Sequence, residues 1–341
     1  MEQRKIMALG KSSLVISIPK PWLRMNDLER GDRVSLQIQP DGTLTVYPTS
    51  EIREKRKEIH LCIQAEESEE SIIRRIIGSY LDGYTAMKLT STKIFSPEQQ
   101  RAIRGIVGTL YMMIMKSEAS SVVLQTLIDE SKASVSSSVE RMHIITYSMC
   151  RDILNSMRNL DQSLARSVVS LEDDVDQLMF FLLRLIRSAA IDPSLGNQLG
   201  LDPLDCLDYQ TLVHRIERIA DHATIIAQSV IALAQSGMEI PKNILEALTK
   251  SAEIAFTSYD QAVQGYLSKD IEPTNQIIDR QREIDDLYQG ITPLPLFGMP
   301  GDASMLSNVI NIRESINKIS HHTADIAELT IDRAYKSESL K

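Results

Sequence analysis

Two stretches of this 341-residue chain, one hundred positions apart, carry the same helical pattern. Residues 214–230 (HRIERIADHATIIAQSV) align with 314–330 (ESINKISHHTADIAELT), sharing Ile216/Ile316, Ile219/Ile319, His222/His322, Ile226/Ile326 and Ala227/Ala327. The helices before them also correspond, with LEDDVDQL at 171–178 facing RQREIDDL at 280–287. Self-similarity of this kind marks a duplicated unit whose copies bury their apolar faces against one another. Six long helical segments are expected, 134–165, 170–189, 204–236, 241–268, 272–290 and 303–338, in two sets of three. Val213, Ile216, Ala220, Ala223, Ala227 and Val230 recur at 3-4 spacing, the stripe of a bundle whose small residues admit close helix approach.

The beginning of the chain has a different physical character. Residues 1–48 hold seven Lys/Arg against five Asp/Glu, a local net of +2, so the remainder carries −11 of the total −9. Leu14, Ile16 and Ile18 alternate with other residues, as do Val34, Leu36, Ile38 and Leu44, Val46, with a Pro40-Asp41-Gly42 turn between the last two runs. Alternation with such a turn specifies a hairpin. So short a module buries little core alone and needs a partner or a staple. Cys62, Cys150 and Cys206 lie far apart without a CxxC pair, which reads as small core residues in a reducing compartment. Dimerisation is therefore expected. No apolar run approaches the ~18–20 residues that cross a bilayer, and the N-terminus lacks a secretory pattern, so a cytoplasmic protein without membrane insertion is expected.

Between these regions, Ile59–Ile63, Ala86–Leu89 and Val122–Leu124 read as strands, and 68–84 and 97–115 as helices, a β-α-β-α-β order. No Gly-rich phosphate loop follows a strand, so the segment reads as a spacer or second dimerisation element, with His60 an exposed strand residue.

Carboxylates are the chemistry-bearing residues of the helical body. Glu172 and Asp176 lie one turn apart, as do Glu217 and Asp221 on the next long helix. Two acidic pairs on facing helices make an oxygen-rich cluster suited to Mg²⁺, Mn²⁺ or iron; a solvated face is the plainer alternative, and Arg215 and Arg218 offer competing ion pairs. No GxSxG, HExxH or P-loop is found, and the chain is not expected to be an enzyme.

Two resemblances follow from the quoted residues. Gly10-Lys11-Ser12-Ser13, Ile18-Pro19-Lys20, Leu28, Gly31-Asp32-Arg33-Val34 and Asp41-Gly42 resemble the SpoVT/AbrB-type swapped-hairpin domain, whose members form intertwined dimers and commonly bind DNA. That resemblance implies Arg4, Lys5, Lys11, Lys20 and Arg24 as phosphate or base contacts, with Ser12 and Ser13 as donors. The duplicated unit with ERIADHATIIA resembles the PhoU domain, and the whole arrangement is similar to archaeal phosphate-uptake regulators. It implies a metal ion (Mg, Mn, Fe or Zn) held by Glu172, Asp176, Glu217 and Asp221. The second repeat departs from the pattern: Asn317 and His321 replace the acids, and Gln281 replaces the partner of Asp285, leaving Asp285, His321 and Asp325 as weaker candidates. His222 and His322 read as packing between helices.

The expected fold is therefore multidomain α+β: a small swapped-hairpin β domain (1–50), a small α/β domain (51–130), and two mainly α three-helix PhoU-like repeats (131–237 and 238–341). The expected function is a DNA-binding transcriptional regulator of phosphate uptake, a homodimer or higher homo-oligomer. The competing expectation is a non-DNA-binding interaction protein that docks a phosphate transporter ATPase or a sensor kinase, with the first module only dimerising. The apolar loop Thr292–Phe297 reads as a bundle-end cover or partner contact.

Overall fold

The computed structural model describes residues 3–10, 13–38, 42–48, 57–237, 240–290 and 302–336. The chain divides into two compact units, the second spanning Lys57–Lys336 and the first including the residues up to Arg56. The Pro40-Asp41 turn and the 292–297 loop lie outside the described residues.

In the first unit β1 (Met7–Leu9) pairs antiparallel with β2 (Ser13–Val15), and β3 (Val34–Ile38) with β4 (Leu44–Pro48). Helix α1 (Lys20–Met25) carries Pro21 in its first turn, where the missing N–H costs nothing. None of the described residues of this unit is buried. Among the described residues nine large apolar side chains stand exposed, including Leu14 at 74 %, Ile38 at 79 % and Leu36 at 61 %. The described residues of a single copy thus form two hairpins without a buried side chain.

The second unit begins with a four-stranded sheet of order β5 (Glu58–Ile63), β6 (Ala86–Ser91), β8 (Ser121–Thr126), β7 (Met112–Glu118). β5 runs parallel to β6, and the other pairs are antiparallel. Helices α2 (Glu69–Leu81) and α3 (Pro97–Thr109) bury Ile72, Ile76, Ile103 and Val107 against Leu61, Ile63, Met87, Leu89 and Leu124 of one sheet face. Ser68 and Ser96 cap these helices through their hydroxyls. The expected helix over 97–115 stops at Thr109 instead: Tyr111 turns the chain through a positive φ of 50°, and Met112–Glu118 leaves as an edge strand on β8. Cys62 points out of this sheet and is exposed, unlike the buried Cys150 and Cys206, because its strand neighbours Leu61 and Ile63 take the inner face.

The remainder is helical: α4 (Val135–Asn159), α5 (Gln162–Ile191), the short α6 (Pro193–Leu199), α7 (Pro203–Ser236), α8 (Lys242–Ser268), α9 (Thr274–Gly290) and α10 (Asp302–Ala334). The first long segment, read as continuous to residue 165, breaks at Leu160, whose φ is 49°. Asp161 then caps α5 by accepting from the N–H groups of Ser163 and Leu164. The stripe of Val213, Ile216, Ala220, Ala223, Ala227 and Val230 is buried throughout, and the apolar side chains of both helix sets form one contiguous core. Close α5–α7 and α7–α10 packing follows from the alanines on α7.

Side chains of α5 fasten the sheet layer to this bundle, Arg184 foremost. Arg184 of α5 is 1 % exposed; its Nε donates to Glu130 Oε1 at 2.6 Å, and its Nη1 donates to the Tyr80 and Tyr84 carbonyls. Its guanidinium also lies 4.7 Å over the Tyr80 ring. Nearby, Arg187 donates to the Leu81 carbonyl and to Asp82.

Candidate functional site

The buried rows on α5 (Val175, Leu178, Leu182) and α7 (Ile216, Ala220, Ala223) fix how the two helices face each other. That rotation leaves Glu172 and Asp176 on the flank of α5, in electrostatic reach of Glu217 and Asp221 on α7. The four first-repeat acids thus share one electrostatic neighbourhood. The Glu217 side chain is only 13 % exposed, and its Oε2 is buried without a hydrogen-bond partner. Burial, then the charges of Asp221 and Glu172, push the Asp176 carboxyl up to about 6. Burial and Asp221 push Glu217 up to about 7. Glu172 is raised by burial and by Asp221, against the Thr224 hydroxyl. Arg218 lies back over the cluster: its Nη1 donates to Asp221 Oδ2 at 3.0 Å, and its Nε is 3.5 Å from Glu217 Oε2.

Half-buried carboxylates with one orphaned oxygen and no neutral ligand suit a hard divalent cation held through oxygen. Among the described residues, however, no group of three or more His, Cys, Asp or Glu side chains is arranged to hold a metal ion. The donors fit the ion in kind but have not converged on it.

In the first unit, Arg4, Lys5, Ser13, Lys20 and Arg24 are all exposed. Lys20 and Arg24 stand one turn apart on α1, so they share a face. Arg4 Nη1 donates to Ser17 Oγ at 3.1 Å across the first hairpin. Lys11 and Ser12 lie outside the described residues.

Comparison with known proteins places this geometry. The PhoU domain matches residues 139–230 and again 248–330, together more than half of the chain. The chain belongs to the PhoU family. The antidote-toxin recognition MazE, bacterial antitoxin family matches residues 7–54, the module of swapped-hairpin type. A phosphate-specific transport system accessory protein PhoU homolog of Rhizobium meliloti (strain 1021) is 24 % identical over 211 residues, covering 60 % of this chain and 86 % of its own. One of the same description from Burkholderia sp is 22 % identical over 218 residues, covering 61 % and 88 %. The crystal structure of the phosphate transport system regulatory protein PhoU from Streptococcus pneumoniae superposes with a TM-score of 0.50 at 14 % identity, covering 60 % of this chain and 94 % of that one, a likeness of fold. The family is regulatory and not enzymatic.

The two PhoU repeats are unequal in chemistry. In the second, Asp285 accepts from Asn317 Nδ2 at 3.0 Å, and His321 Nδ1 is 2.7 Å from Gln281 Nε2. His321 Nε2 stands 3.7 Å from Asp285, so these two candidates do meet, but both already have amide partners. Asp325 turns instead to Arg215 of the first repeat, whose Nε is at 3.1 Å, with His322 Nδ1 of its own helix at 3.7 Å. Beside it the His222 and His322 rings stack at 5.9 Å, and burial, then His322, pushes His222 down to about 4. These histidines join the repeats, as neutral packing groups.

Two residues that bear on the site's frame escaped the sequence reading. Arg184 sits in the apolar run FFLLRLI, and a lone arginine there was the available signal. His143, 5 % exposed on α4, has its Nε2 3.0 Å from Asp260 Oδ1 of α8, tying the two repeats at their first helices. Its place among buried Val139, Met142 and Thr146 at helical spacing was the corresponding signal.

The raised carboxyls have a pH consequence. Their folded-state pKa lies above the unfolded value, so the folded protein binds these protons more tightly. Below about pH 4 the groups are neutral in both states and neutral in effect; stability then falls as pH rises through the folded values of about 6 and about 7. After discounting for solvent screening, the loss is about 1 kcal/mol per group. In thermal melts between pH 5 and 8, the double variant Asp176→Asn, Glu217→Gln should show a flatter curve than wild type. Parallel curves would remove the mutual repulsion from the account.

Proposed function

We propose that this protein is a cytoplasmic, dimeric DNA-binding regulator of phosphate uptake, in which the PhoU body acts as a metal-linked sensor or partner-docking unit. The observation that carries the reading is the joining, in one chain, of a MazE-type module with exposed cations to two PhoU repeats. The four parts would be 1–50 for DNA and dimerisation, 51–130 as an α/β spacer, and 131–237 and 238–341 as the repeats. None of the module's described residues is buried, which favours a second copy covering its apolar side chains. Arg4, Lys5, Lys20 and Arg24, with Lys11, Ser12 and Ser13, would contact the duplex backbone or base edges. Glu172, Asp176, Glu217 and Asp221 would hold the cation, whose charge would cancel their repulsion and draw α5 and α7 together. Asp285, His321 and Asp325 would contribute less, since each already has a partner. The relatives' description as accessory proteins of a phosphate-specific transport system supports a phosphate transporter ATPase or its sensor kinase as the docking partner of the acidic body. No helix among the described residues is long and apolar enough to cross a membrane.

Replacing Lys11, Lys20 and Arg24 together with Ala should abolish DNA binding while leaving the dimer intact, as read by fluorescence anisotropy and analytical ultracentrifugation. Each phosphate contact adds a slope of ~0.9 in log affinity against log salt, so the wild-type slope counts the contacts. Unchanged affinity would sink the assignment of that face. The exposed apolar row favours a second reading, in which the module only dimerises and the body docks a transport or sensor protein. Membrane pull-down by residues 131–341 alone, with no salt-dependent DNA binding by the full chain, would select it.

A further inference from the structure

Arg218 is held in place by charge and little else. Its side chain is 59 % exposed, yet it folds back along α7 to place Nη1 3.0 Å from Asp221 Oδ2 and Nε 3.5 Å from Glu217 Oε2. It is the cation acting on Glu217, whereas the charges bearing on Asp176 are neighbouring carboxylates. A guanidinium is a planar fork of donors with a single delocalised charge, so it caps two carboxylates without drawing in the remaining pair from α5. The second repeat provides the internal comparison. Lys318 occupies the matching position, Asn317 and His321 replace the two acids, and Lys318 forms no ion pair among the described residues. Where the carboxylates are absent, the cation is not drawn down.

We propose that Arg218 is the resident counter-cation of the first repeat's carboxylate cluster, and that a divalent cation binds by displacing it from Asp221 and Glu217. Arg218 therefore sets the affinity of the site, and its presence accounts for donors that suit a metal in kind without converging on one. This rests on reading the cluster as a cation site. The released guanidinium moves into solvent, which its exposure already permits, and leaves the α7 carboxylates free to share the cation with the α5 pair.

The test uses the metal-stripped full chain and isothermal titration with Mn²⁺ at pH 7.5, on wild type, Arg218→Gln, Arg218→Lys and Asp221→Asn. Circular dichroism melts without metal check that each variant folds. Arg218→Gln should bind Mn²⁺ at least tenfold more tightly than wild type, Arg218→Lys should fall between them, and Asp221→Asn should lose most of the binding. Equal or weaker binding by Arg218→Gln, with Asp221→Asn still defective, overturns the role of Arg218 and leaves the cation site standing. Absence of Mn²⁺ binding in both wild type and Arg218→Gln, or binding indifferent to Asp221→Asn, overturns the site and the displacement together.

Discussion

Arg184→Ala is expected to cost the protein about 3–5 kcal/mol, the range for removing one partner of a buried ion pair. The guanidinium is 1 % exposed and serves Glu130 Oε1 and the carbonyls of Tyr80 and Tyr84. Without it, Glu130 keeps a largely buried charge with no counter-ion, and two carbonyls at the end of α2 lose their donor. The loss falls at the seam between the sheet layer and the bundle. Chemical denaturation should therefore show the α/β layer releasing before the helices, or a lower midpoint for the whole. Arg184→Met, which fills the space without the charge, should recover part of the loss only if Glu130→Gln accompanies it. A cost below about 1 kcal/mol for Arg184→Ala would mean that the seam is held by the apolar contacts of Tyr80 and Phe180 together with Arg187.

In the proposed dimer, Leu14→Asp combined with Ile38→Asp is expected to separate the two copies and leave monomers. Both side chains are more than 70 % exposed in a unit without any buried described residue, so a second copy is the natural cover for them. Fully burying a Leu or Ile contributes about 1.5–3 kcal/mol, and a buried unpaired carboxylate costs several more. Two such changes per chain act twice in a symmetric interface. Sedimentation velocity at micromolar concentration should show the mass halved, while the helical signal of the PhoU body remains. A double variant that stays dimeric would locate the interface elsewhere in the chain.

Much of this was legible from residue patterns, for physical reasons that differ by region. The repeat at an offset of one hundred was visible because Ile216/Ile316 and Ala227/Ala327 must both face one core, and periodicity encodes that directly. The acidic pairs were visible because one-turn spacing puts two carboxylates on the same helix face. Pairing across helices was not visible. Whether Asp325 joins His321 or reaches Arg215 depends on how α7 and α10 cross, which no local spacing states. Strand β7 was hidden inside a helical pattern because MMIM fits either period, and the break comes from one residue, Tyr111, in a left-handed conformation. Likewise the helix expected through residue 165 is cut by Leu160, whose identity signals nothing of the kind; Asp161, a strong cap residue, was the clue.

The central claim is that a metal-linked PhoU body and a DNA-binding module work as one regulator. It is tested most directly by fluorescence anisotropy of the full chain, stripped of metal and then reloaded with Mn²⁺. The probes are the duplex upstream of its own gene and a shuffled duplex, each at several salt concentrations. The account predicts tight binding that prefers the upstream duplex, weakens with salt and changes on adding Mn²⁺. No binding in either metal state would contradict it, and would leave the N-terminal module as a dimerisation clasp on a docking protein.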